Sequence, residues 1–339
     1  MSAARAIGPG LAAALFSAAT FATSGPFSKA LMAAEWSPAA VVMTRLGLGG
    51  LVLAIAASAQ LCGRLRLLRA HLGTILLYGA GGCVAVQLLY CFAIERLSIA
   101  VALLIEYLAP VLLVLLAWAR TRRAPRALTL LGVLLSLGGL VLVLDLTGEQ
   151  RISGSGVLFA LGAAVGLAAY FLVGGGDASR ADVEPLPPLL LAAAGMLTGA
   201  LGLALLGLMR VLPLEMPTAE VALLGSTVSP WVPVLFLGLV PGVVAYSTGI
   251  VGARLLGSTL ASFVGLTEVL FAVLFAWFML GEAPGVVQAL GGVLILAGVA
   301  AVRLGELPRP GSGRARSGAE GGRGAAGADA PRRAVEPVG

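Results

Sequence analysis

Ten membrane-spanning helices, arranged as two inverted repeats of five, form the all-α membrane architecture that this sequence predicts. Three observations predict it: an apolar composition, ten long apolar runs spread over 339 residues, and an internal repeat with an offset of about 158 residues. Hydrophobic residues make up 59% of the chain and charged residues 11%, and the mean hydropathy is +1.02. Water-soluble domains lie far from these values. A bilayer core roughly 30 Å thick takes about 20 apolar residues of helix per crossing. Segments apolar on every face can cross only as helices, because no water is there to satisfy an exposed backbone.

The runs cover residues 10–33, 38–60, 72–93, 98–119, 127–146, 154–174, 187–209, 230–252, 258–280 and 285–304. The first is too long for the apolar core of a signal peptide, and a second follows within a few residues, so it is expected to stay as a spanning helix. With the N-terminus inside, the inner segments carry Arg5, then Arg64, Arg66 and Arg69, then Arg120, Arg122, Arg123 and Arg126, then Arg180, Arg254 and Arg303. The outer loops carry Arg96, Arg151 and Arg210. This asymmetry predicts a multi-pass protein of the inner or plasma membrane with both termini in the cytoplasm.

From about residue 307 the composition changes to PRPGSGRARSGAEGGRGAAGADAPRRAVEPVG, which has no apolar period and is expected to be a disordered cytoplasmic tail. Cys62, Cys83 and Cys91 show no metal-ligand spacing and read as packing residues in or beside spans. Glycine runs such as Gly47, Gly49 and Gly50 lack a strand-to-helix context, so they serve helix packing and no nucleotide site is expected.

Shifting the chain so that Arg96 meets Arg254 (254 − 96 = 158) aligns residues 95–118 with 253–276. After a slip of one residue, Pro125 meets Pro284, Gly132 meets Gly291 and Gly139 meets Gly298. The expected units are residues 1–146, 147–306 and the tail 307–339. Because five is odd, the second unit enters the membrane from the opposite side, which gives inverted repeats.

The closing stretch RLLGSTLASFVGLTEVLFAVLFAWFMLGEAPGVVQALGGVLILAGVAAV resembles the EamA-like branch of the drug/metabolite transporter superfamily. TSGPFSK in the first span and TRLG in the second are similar to that family's first two helices. Two features depart from the pattern. Glu268 is followed by Val269 where many relatives have proline, and the family's Gly-Glu pair is carried only by Gly281 and Glu282, a helix-terminal position. The resemblance implies a ten-helix secondary transporter of amino acids, amines or drug-like compounds.

Several polar residues interrupt the apolar runs. Lys29 lies roughly 7 Å below the outer surface by helical rise, either snorkelling to water or facing a substrate. Arg45 and Glu106 lie about 10 and 12 Å deep, as a fixed ion pair between helices or as substrate contacts. Glu268 falls near the middle of the ninth span, roughly 15 Å from either surface. A carboxyl there suits a proton-coupled carrier, or else a permanently protonated group bonded to a neighbouring helix. Gln87, Tyr90, Tyr107, Tyr170 and Tyr246 are further polar groups able to line a central cavity. Gly25, Pro26, Pro110, Pro241 and Gly242 interrupt the hydrogen-bond ladder and are candidate hinges.

Together these features predict a secondary transporter that moves a small metabolite outward by alternating access, driven by proton exchange. Its partners are the substrate, the lipid bilayer and protons. No metal, cofactor or nucleic acid is expected, and the oligomeric state is open. Two other classes compete: a membrane-embedded lipid-modifying transferase, for which the single histidine, His71, has no acidic neighbour in sequence, and a non-transporting scaffold, which would leave Glu268 and the repeat without a purpose.

Overall fold

A computed structural model of the chain describes residues 3–61, 65–97, 99–122, 124–144, 153–176, 184, 186–223, 225–280 and 285–306. The tail from 307, the junction between the two expected units at 146/147, and the Gly281 and Glu282 pair lie outside the described residues. Nine helices among the described residues are long and apolar enough to cross a membrane: Ile7–Ala33, Pro38–Ser58, Leu72–Ile94, Val101–Thr121, Gly154–Gly174, Pro188–Leu208, Trp231–Leu256, Ser258–Phe275 and Val286–Gly305. Another apolar helix, Ala127–Val143, has 17 residues. Each falls on one of the ten apolar runs, and they are numbered spans 1 to 10 in chain order. Large apolar side chains such as Ile55, Leu134, Leu158 and Val293 point outward and are exposed, the arrangement that hydrocarbon solvent allows and water would oppose.

Three prolines set where the spans break. A proline ring displaces the carbonyl four residues earlier and offers no N–H in return. Pro26 acts on Ala22, the last residue of helix Ala3–Ala22. Pro110 acts on Glu106, the last residue of helix Ile99–Glu106. Pro241 acts on Leu237, after which the helix widens into a π turn over Gly238–Ala245 that also holds Gly242. Spans 3 and 9 break without proline. Span 3 widens over Tyr78–Ala85, and span 9 is interrupted at Leu266, where the Thr267 hydroxyl takes the Val264 carbonyl at 2.6 Å. The irregularities obey the repeat, since 238 − 78 = 160 and 266 − 108 = 158.

Span packing obeys it as well. Span 1 lies along span 8 as span 6 lies along span 3, span 2 pairs with span 7, and span 5 with span 10. Spans 5 and 10 meet antiparallel through glycines. A Cβ on Gly139 would stand 2.5 Å from the Gly291 carbonyl oxygen, and one on Gly291 would stand 2.6 Å from that of Gly139. Gly132 faces Gly298 in the same way. The repeat pairs Gly132 with Gly291 and Gly139 with Gly298, so it converts the contact Gly132·Gly298 into Gly291·Gly139. An interface that maps onto itself marks a two-fold axis between spans 5 and 10. Gly139→Leu is therefore expected to force this pair apart and to destabilise the protein by about 1–3 kcal/mol, the usual range for overpacking. Thermal unfolding in detergent reads it, and an unchanged transition would show that the helices do not meet here.

Two small elements outside the spans were not expected. A short helix, Leu65–Ala70, precedes span 3, and a hairpin pairs Val221–Leu223 with Ser226–Val228. Beside the hairpin, the Trp36 indole donates to the Pro217 carbonyl at 2.9 Å and the Ser37 hydroxyl to the Pro213 carbonyl at 2.8 Å. These bonds tie the loop between spans 1 and 2 to the loop between spans 7 and 8.

Candidate functional site

A cavity of about 700 Å³ lies between the two repeats. Spans 1, 3, 4, 5, 6, 8 and 9 line it. At one end it reaches Val143 and Leu144, where span 5 finishes, together with Phe27, Phe236 and Phe275. Toward the end of the bundle where span 1 begins and span 10 finishes, it stops at Ala14, Phe171, Gly249 and Ala261. Below those residues the helices are closely packed. A Cβ on Gly252 would stand 2.9 Å from the Ala14 nitrogen, and one on Gly175 would stand 3.0 Å from the Ser258 nitrogen. Arg254 closes the packing, donating from Nη2 to the Leu186 carbonyl at 2.6 Å and from Nε to the Gly174 carbonyl at 3.3 Å.

The breaks in the spans deliver the polar groups. Glu106 ends the first half of span 4, and Glu268 stands in the first turn of the second half of span 9. Both line the cavity and each lies within the other's electrostatic reach. The Tyr107 hydroxyl is in hydrogen-bonding reach of the Glu268 carboxyl. Gln87, Tyr90, Tyr170 and Tyr246 add to the polar lining with Ser17, Thr23 and Ser24, and Phe21, Phe27, Phe171, Phe236 and Phe275 give the wall an aromatic character. Gly25 and Pro26 lie on the wall, whereas Pro110, Pro241 and Gly242 do not line it.

Arg45 occupies an unusual position. Its side chain is 2% exposed, and Nη1 donates to Gln87 Oε1 at 2.9 Å. The guanidinium carbon lies 5.4 Å from the centre of the Phe21 ring and 5.9 Å from that of Tyr246, within the range of cation–π attraction. Nε and Nη2 have no hydrogen-bond partner. The ion pair with Glu106 that similar depths suggested is not formed; Gln87 takes that place, and the carboxyl whose field reaches Arg45 is that of Glu268. Depth along a helix says nothing about the direction in which a side chain points, and here the two expected partners point differently.

Lys29 is exposed, and the lining of span 1 ends at Phe27. The structure does not bring this lysine to the cavity. His71 is buried at the start of span 3, its ring nitrogen Nε2 2.8 Å from the Glu184 carbonyl oxygen, also away from the cavity. Sequence reasoning missed the phenylalanine wall and Ser17, whose hydroxyl donates to the Ala245 carbonyl at 2.8 Å between spans 1 and 8. Phe21 stands in the stretch FATSGP beside the break, which was the one local signal available.

A sequence profile described as the EamA-like transporter family matches residues 8–145 and again 154–304. The chain is 29% identical over 227 residues to a Bacillus subtilis (strain 168) protein named "Uncharacterized transporter YwfM", an alignment covering 66% of this chain and 71% of that one. A solved structure described only as the crystal structure of a protein superposes with a TM-score of 0.68 at 24% identity, over 88% of this chain and 98% of the other. That likeness concerns the fold.

Proposed function

The chain belongs to the EamA-like transporter family, and we propose that it is a secondary exporter of small amine-bearing metabolites, coupled to protons and working by alternating access. It is a membrane transporter of the drug/metabolite type. In our reading it spans the inner or plasma membrane with both termini in the cytoplasm, so the cavity opens outward. Residues 1–146 and 147–306 act as the two repeats, and 307–339 as a cytoplasmic tail.

One observation carries the proposal: Glu106 and Glu268, from spans that the repeat relates, face one aromatic cavity between the repeats. Site placement at a repeat interface is what inverted-repeat carriers use. Aromatic faces attract a cationic group, and a carboxylate neutralises it. A proton and an amine can therefore compete for the same acid, and such competition is sufficient for exchange of one against the other. Amino acids, simple amines and drug-like amphiphiles all satisfy this chemistry.

Untargeted metabolite profiling of medium and cytosol tests the proposal in cells carrying wild type, Glu268→Ala, Lys29→Ala or an empty vector. One amine-bearing class should accumulate in the medium with wild type and with Lys29→Ala, and fail to do so with Glu268→Ala. Profiles for wild type that match the empty vector under all conditions would refute export.

A further inference from the structure

Arg96 and Arg254 occupy equivalent places in the two repeats, at the ends of spans 3 and 8, yet they are engaged differently. Arg254 reaches across to two backbone carbonyls, those of Gly174, the last residue of span 6, and Leu186, two residues before Pro188 opens span 7. Both carbonyls belong to the closed end of the cavity. Arg96 is exposed and stays on its own helix, donating to the Phe92 carbonyl and to the neighbouring Glu95 carboxylate, each at 2.8 Å, with its guanidinium 5.1 Å from the Phe159 ring centre. It stands at the opposite end of the bundle.

We propose that the two arginines are alternating latches: Arg254 holds the inner seal while the cavity faces outward, and Arg96 makes the equivalent bonds when the outer end closes. The repeat supplies its targets. Matched by their places at the span ends, Ala33, the last residue of span 1, corresponds to Gly174, and Trp36, two residues before Pro38 opens span 2, corresponds to Leu186. Carbonyls suit this role because they carry no net charge. A guanidinium fork can take two at once, and it can leave them for water without stranding a carboxylate. The inference rests on alternating access, because a carrier whose repeats exchange conformations must break one set of these bonds as it makes the other.

Reporter cysteines test it in a background with Cys62, Cys83 and Cys91 replaced by alanine. Ala14→Cys stands at the cavity floor, against Gly252 of the inner seal, and Ala272→Cys on the cavity wall nearer the other end. Both are labelled with a membrane-impermeant maleimide applied from either face of oriented vesicles. Arg254→Ala should raise inner-face labelling of Ala14→Cys and lower outer-face labelling of Ala272→Cys, each by about tenfold, the weight of charged hydrogen bonds. Arg96→Ala should move both reporters the opposite way, and the double variant should return them toward wild type. Arg254→Lys keeps the charge but not the fork and should fall between, which serves if the alanine variant does not accumulate. Gly252→Trp, which cannot fit beside Ala14 in the closed seal, acts as an independent wedge. Shifts of the same sign from both arginines, or a shift with the wedge and none with either arginine, would overturn the latches and leave alternating access standing. If the wedge also moves nothing, alternating access falls and the latches with it.

Discussion

Glu268→Gln is expected to remove proton-driven transport while leaving the protein folded. The substitution keeps the shape of the side chain and its reach to the Tyr107 hydroxyl, but the amide can neither give up nor accept the coupling proton. Glu106 cannot take over. It sits before the break in span 4, whereas Glu268 sits after the break in span 9, and the field of Arg45 reaches Glu268. By analogy with loss of a positioned acid–base group in an enzyme, the flux driven by a pH gradient should fall on the order of 10²-fold. The measurement is transport into proteoliposomes of the metabolite class found by profiling, with and without a pH gradient, alongside thermal unfolding. An unchanged response to the gradient would end the coupling role of Glu268. A lost response with a collapsed transition would show instead that the carboxyl is structural.

The contrast between Glu268 and Lys29 shows how far the sequence could be read. Apolar runs mark where the chain crosses the bilayer, so the ten spans were legible. The prolines were legible too, because their effect on the residue four positions earlier is local. Rotation about each helix axis is decided by neighbours, and the sequence leaves it open. Lys29 and Phe27 are two residues apart, yet only Phe27 lines the cavity. Arg45 turned toward Gln87 and two aromatic rings and not toward Glu106. The π turn of span 3 had a weak signal in the glycines of YGAGGCVA, which permit close approach without announcing a change of pitch. The break in span 9 had none beyond its place in the repeat.

Arg45→Met is expected to separate function from stability. A buried guanidinium with two unpartnered nitrogens forgoes much of its hydration, and the Gln87 bond and two ring faces offset only part of that loss. Replacing buried charge by an apolar side chain of similar length is often neutral or stabilising by about 1–4 kcal/mol. Methionine is flexible enough to fill the space beside Phe21 and Tyr246, and Gln87, which lines the cavity, can turn to water. The detergent-solubilised variant should therefore unfold at the same temperature as wild type or higher. Transport should nonetheless fall by about tenfold, the effect of losing roughly 1.4 kcal/mol of favourable interaction, because the cavity loses the positive field that reaches Glu268. A variant that unfolds earlier would mean that Arg45 is a structural pin between spans 2 and 3. One that is stable and still transports would show that the charge on span 2 has no part in handling either substrate or proton. Only the combination of retained stability and lost transport supports the view that the fold tolerates this buried cation for the sake of the cavity beside it.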